Sequence, residues 1–121
     1  MGLDMYAYLT KNKINGINFD SPEDAVEIKY WRKFNNLHGW MQKLYMKKGG
    51  DEYFNCVNLH LTIQDIEDLE KDAKELEPTS GFFFGSQLEM EPEDIKDVLE
   101  FCKECRFLME DGLSIYYTSW W

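Results

Sequence analysis

Segments with strand-like alternation lie near the start, the middle and the end of this chain, and three stretches of helical period separate them. That order lacks the strict βαβ alternation of a parallel sheet. It predicts an α+β fold: a mainly antiparallel sheet of about four to five strands, with three main helices covering one face. With 121 residues the chain is read as one domain, 1–121, around one core, because chains usually split only beyond roughly 250 residues.

Leu3, Met5, Tyr6, Tyr8 and Leu9 mark a first strand. Asn15-Gly16 is the strongest hairpin dipeptide in the chain and predicts the turn after it. Ser21-Pro22-Glu23-Asp24 has the signature of a helix start but room only for a short turn. Val26, Ile28 and Tyr30 then alternate with charged residues and predict a second strand over Glu27–Trp31. From Lys33 the period changes: Phe34, Leu37, His38, Met41, Leu44 and Tyr45 form a helical stripe that ends at Gly49-Gly50. Phe54, Cys56, Val57, Leu59 and Leu61 suggest a strand. A capping-box-like Thr62-Ile63-Gln64-Asp65 opens a helix to about Glu75, and Pro78 stops it. The glycine-bounded run Ser80-Gly81-Phe82-Phe83-Phe84-Gly85-Ser86 predicts a buried strand. Glu91-Pro92-Glu93-Asp94 opens the last helix, Gly112 caps it, and Leu113, Ile115 and Tyr117 alternate in a closing strand.

Composition narrows the function classes. The formal net charge is −10, yet 44% hydrophobic and 16% aromatic residues are too many for a disordered chain. The charge is unevenly placed: residues 1–50 carry eight Lys and Arg against five Asp and Glu, and residues 51–121 carry five against eighteen. Nucleic-acid binding rests on cations replacing counterions at phosphates, so direct binding to DNA or RNA is disfavoured. No run approaches the roughly 18 apolar residues of a membrane span, and the opening residues lack a basic, apolar signal sequence, which predicts a cytoplasmic protein without a membrane partner. Three cysteines, at 56, 102 and 105, do not make a disulfide framework.

No catalytic, cofactor or metal signature is complete. The nucleophile elbow, the P-loop, the dinucleotide glycine loop and H-E-x-x-H are all absent. Cys102 and Cys105 sit at the spacing of a helical apolar stripe, which makes two buried thiols the simpler account than a zinc knuckle. One cluster combines aromatic planes with cations: Tyr30, Trp31, Arg32 and Lys33, followed by Asn36, His38 and Trp40. Such groups suit stacking on a base, pairing with a phosphate, or anchoring a protein contact. Ser80 and Ser86, beside glycines, add backbone N–H groups suited to an anion, and Tyr117 completes the candidate binding set. The competing account is that these aromatics fill the core at a strand-to-helix junction while Arg32 and Lys33 reach solvent.

Taken in order, Met1-Gly2-Leu3-Asp4-Met5-Tyr6, Tyr30-Trp31-Arg32-Lys33, His38-Gly39-Trp40, Pro78-Thr79-Ser80-Gly81-Phe82-Phe83-Phe84-Gly85-Ser86 and Tyr116-Tyr117-Thr118-Ser119-Trp120 span the chain. This series resembles a family of small tailed-phage proteins of unknown function. Members often carry a phosphoglycerate kinase label, whose two-domain bulk and nucleotide loop have no counterpart in this sequence. The resemblance implies a phage accessory protein in the cytoplasm of an infected cell and carries over no reaction, cofactor or site residue. The expectation is a non-enzymatic binder that modulates a host protein, in host takeover or counter-defence. The alternative is a small-molecule or nucleotide-binding, sponge-like protein that takes a small anionic ligand on the Tyr30–Trp40 cluster and the Ser80–Ser86 segment. A weaker alternative is an acidic DNA mimic.

Overall fold

The computed structural model describes residues 2–76, 79–81, 85–87 and 90–121, with backbone alone for 79–81 and 85–87. Strands β1 (Asp4–Thr10), β2 (Val26–Arg32), β3 (Leu59–Leu61) and β6 (Ser114–Trp120) form one antiparallel sheet in the order β2-β1-β6-β3. Successive side chains on a strand point to opposite faces. Leu3, Met5 and Ala7 are therefore buried with Trp31, Leu59, Leu61, Ile115 and Tyr117, while Tyr6 and Tyr8 take the other face. Helices α1 (Asn35–Lys47), α2 (Ile63–Asp72) and α3 (Pro92–Glu110) complete the core on the inner face through Leu37, Met41, Ile66, Leu69, Val98 and Phe101. The α+β layout and the single covered face expected from the order of elements are what the chain adopts.

Local chemistry fixes the helix ends. Thr62 and Asp65 exchange side-chain and backbone hydrogen bonds at the start of α2, and Glu91 and Asp94 do so at α3, where Pro92 fills the first helical position. A 3₁₀ turn, Ala73–Glu75, follows α2. Gly112 ends α3 with a φ of +83°, a conformation open to glycine without penalty.

Two sequence expectations need correction, and a third gains its place. The chain turns at Gly16 as expected, inside the long connection between the antiparallel strands β1 and β2, which no tight hairpin closes. The Asp24 carboxylate instead gathers the base of the 11–24 loop, accepting from the Thr10 hydroxyl at 2.5 Å, the Lys11 N–H at 2.8 Å and the Asn12 amide at 2.9 Å. Gly16, at φ +75°, turns the loop so that its carbonyl accepts from the His60 N–H, and the Asn18 N–H donates to the Asn58 carbonyl. The loop thus runs along the edge of β3. The strand expected over 54–61 is confined to Leu59–Leu61, because Cys56 takes a φ of +59° and donates its N–H to the Ser119 carbonyl. The glycine-bounded run is not one strand: β4 (Thr79–Gly81) and β5 (Gly85–Gln87) pair antiparallel, with Ser80 opposite Ser86, and the hairpin packs on α1. Phe82, Phe83 and Phe84 lie outside the described residues.

Polar ties hold the layers in register. Arg106 on α3 grips Glu70 on α2 with two parallel hydrogen bonds of 2.7 Å, the strongest geometry for such a pair. Asp97 on α3 receives both the Lys29 ammonium and, at 2.7 Å, the Trp31 indole N–H of β2. Trp31 is buried edge-on against Phe101, so its N–H depends on that carboxylate. Asp97→Ala is expected to lower stability by about 1–3 kcal/mol in urea unfolding, the cost of a buried donor left without an acceptor; a change below about 0.5 kcal/mol would contradict this role.

Candidate functional site

The residues singled out in the sequence do not gather in one site: His38 meets Tyr117 in the core, Asn36 and Trp40 share a groove, and Tyr30, Trp31, Arg32 and Lys33 lie elsewhere. Trp31 enters the core toward α3. Asn36 is buried on α1 and donates its amide to the Leu76 carbonyl at 3.1 Å. His38 and Tyr117 meet inside the core, both with 0% exposure, and share a hydrogen bond of 2.7 Å between Nδ1 and the hydroxyl. Burial alone pulls the His38 ring down to about 4, so it is neutral near pH 7 and cut off from solvent. Tyr30 and Arg32 point to the opposite face from Trp31, and Lys33 forms the strained junction to α1 at φ +56°. Trp40 lies in a groove between α1 and α2, where its indole N–H donates to Asp72 at 2.9 Å. Ser80 and Ser86 lie on the hairpin, described there by backbone alone.

The groove beside Trp40 encloses about 480 Å³. Its lysines, 43, 47 and 71, are matched by Asp68, Asp72 and Glu75. A lining with balanced charge gives a phosphate no focused field. Burial also holds the Cys102 thiol up to about 12 and raises Cys105, leaving both thiols protonated and unreactive.

The distinctive surface holds one of those candidates, Tyr30, together with tyrosines outside the candidate set. On the outer face of the sheet, which no described helix covers, tyrosines from three adjacent strands stand in a row. The Tyr30 and Tyr6 rings lie 5.3 Å apart, Tyr6 and Tyr8 6.1 Å, and Tyr8 and Tyr116 5.3 Å with their planes 21° from parallel. Phe19 meets Tyr116 edge-on at 5.3 Å. Register produces this row, since Tyr6 pairs with Tyr30 and Thr118, and Tyr8 with Tyr116.

Three members of the row, Tyr6, Tyr8 and Tyr116, line an open basin of about 440 Å³ together with Trp120, Ser21 and Asn58. Tyr116, 2% exposed, is the floor. Trp120, 65% exposed, opens the lining to solvent, and Tyr30, 43% exposed, lies beyond Tyr6 outside it. Asn58 secures the loop wall by donating to the Phe19 carbonyl at 2.8 Å and to the Ser21 hydroxyl at 3.0 Å.

Carboxylates surround these rings. Asp4 accepts the Tyr30 hydroxyl at 2.5 Å, and Glu27 stands opposite Tyr8. Burial raises the Tyr6, Tyr8 and Tyr116 hydroxyls, and nearby negative charge raises them further: Asp4 and Glu27 act on Tyr6, Glu27 on Tyr8, and Asp24 on Tyr116. For Tyr30 the hydrogen bond to Asp4 is the leading cause of the upward shift. The face therefore combines aromatic planes with a negative field.

The signal for it was present in the alternation Met5-Tyr6-Ala7-Tyr8 and Ile115-Tyr116-Tyr117: every second position is apolar and inward, and the tyrosines between them are outward. No family model, no curated protein and no solved structure matches the chain. Among the described residues, no helix is long and apolar enough to cross a membrane.

Proposed function

We propose that this chain is a non-enzymatic binding protein that engages a partner protein through the open tyrosine face of its sheet. Following the resemblance of its sequence motifs, we place it as a phage accessory protein acting on a host protein in the cytoplasm of the infected cell. The observation that carries this reading is the Tyr30–Tyr6–Tyr8–Tyr116 row on the sheet face that no described helix covers. Tyrosines offer large contact area at a low entropic cost, and a contiguous aromatic surface on a small protein marks a contact site.

Dispersal of the predicted cluster favours this reading over a small-molecule sponge. Trp31, His38 and Tyr117 serve the core, and Asn36 and Trp40 lie on the helical side rather than with Tyr30. In affinity capture from host lysate, Tyr8→Ser with Tyr30→Ser is expected to abolish recovery of the wild-type partner, whereas Lys43→Ala with Lys71→Ala in the helical groove leaves it unchanged. The opposite pattern, with the fold intact by circular dichroism, would transfer the site to the groove.

A further inference from the structure

The same basin has a chemistry that narrows its partner. Its accessible rings, Tyr6, Tyr8 and Trp120, present π-faces whose negative quadrupole attracts cations. Asp4 and Glu27 add formal negative charge at the β1–β2 side, and Asp24 adds it near Tyr116. Among the described residues, neither a cation nor a carboxylate lines the basin itself; Asp4 and Glu27 stand beside it in the β1–β2 pairing, Arg32 stands at the end of β2 opposite Asp4, and Lys29 turns to the inner side and binds Asp97. A phosphate or carboxylate ligand would meet the excess of Asp4, Glu27 and Asp24 over Arg32 around the basin, and a cation would meet the aromatic faces with Asp4 and Glu27 beside them.

The geometry points to an arginine-bearing, basic segment of the partner protein as the occupant of the tyrosine basin. This assignment rests on the reading that the tyrosine face is the contact surface. A guanidinium fits better than an ammonium: it is planar, so it lies flat on a tyrosine ring, and its in-plane donors can reach a carboxylate such as Glu27 at the same time. Its weaker hydration also lowers the cost of leaving water. The volume of about 440 Å³ falls in the range of about 300–1,000 Å³ common for ligand sites. The exposed Trp120 in the lining and the exposed Tyr30 next to Tyr6 leave room for neighbouring residues of an extended segment to lie across the sheet.

The probe is a short peptide alternating arginine and glycine, compared with its citrulline counterpart, which keeps the shape and loses the charge. In NMR titrations the arginine peptide is expected to shift the ring signals of Tyr6, Tyr8 and Trp120, and the citrulline peptide to bind about tenfold more weakly. Glu27→Gln, an exposed change that leaves the fold intact, is expected to weaken the arginine peptide about threefold, and Tyr8→Leu about fivefold. Equal affinity for the two peptides would overturn the assignment. So would shifts confined to the acidic surfaces of α2 and α3, or saturable binding of a single-stranded thymidine homopolymer in the basin. If the arginine peptide fails while Tyr8→Ser with Tyr30→Ser still abolishes protein capture, the cation assignment falls and the contact face stands; if both fail, both fall.

Discussion

Phe54→Ala is expected to cost about 3–5 kcal/mol, the largest loss from any single truncation considered for this chain. Phe54 is 1% exposed and lies in an irregular segment before β3. Its ring stacks on three others: Tyr45 at 4.9 Å, His38 at 5.1 Å and Tyr117 at 5.7 Å, with planes within about 23° of parallel in each case. Its carbonyl also accepts the Trp121 indole N–H at 2.9 Å. Removing the ring opens a cavity between α1 and β6 that stiff aromatic neighbours close poorly. The adjacent Tyr53 is 79% exposed, so Tyr53→Ala is expected to change stability by less than about 0.5 kcal/mol. Urea unfolding of the two variants separates them, and equal losses would contradict the stacked core.

The second large effect is a pH dependence centred on His38. In the unfolded chain its imidazole protonates near its ordinary 6.5, and in the folded protein burial lowers it to about 4. Between these values the unfolded state binds more protons, so stability rises with pH. The contribution is fully present above about pH 6.5 and is lost as pH falls toward 4. Its size between pH 7 and pH 4 is about 3 kcal/mol. His38→Gln is expected to flatten that part of the profile even where it lowers stability at pH 7. A residual acid slope of the same sign is expected from His60, lowered mainly by burial, and from Asp24, held low first by its hydrogen bond from Thr10. An unchanged profile in His38→Gln would contradict burial as the cause.

Much of the scaffold was legible because its rules are local. Thr62 with Asp65, Pro92 after Glu91, and the stripe Leu37-Met41-Leu44 each act within a turn or two of helix, and α1, α2 and α3 start and stop accordingly. The site was less legible because its residues meet only through strand pairing. Tyr30, Trp31, Arg32 and Lys33 read as one cluster in sequence, but an extended backbone sends Tyr30 and Arg32 to one face and Trp31 to the other, while Lys33 turns away at positive φ. Tyr6, Tyr8, Tyr30 and Tyr116 are far apart in the chain and become neighbours once β1 is placed between β2 and β6. Asn15-Gly16 shows the same division: its turn chemistry is local, but what the turn packs on is not, since Asp24 ties the loop base 13 residues from Lys11 and the Gly16 carbonyl meets the edge of β3.

The uneven charge takes on a location in this arrangement. Acids on α2 and α3 are largely solvated, and the formal −10 says little about a site there. Asp4, Asp24 and Glu27 belong to the mildly basic N-terminal part, yet they stand close to the tyrosines of the outer face, where few charges set the local field.

The most direct measurement of the central claim is NMR of the tyrosine rings while the captured host protein is added. The signals of Tyr6, Tyr8 and Tyr30 are expected to shift and broaden together, with Tyr53, outside the basin, unchanged. Perturbation of Tyr53 and Trp40 with the basin tyrosines unmoved would contradict the assignment of the open sheet face as the contact surface.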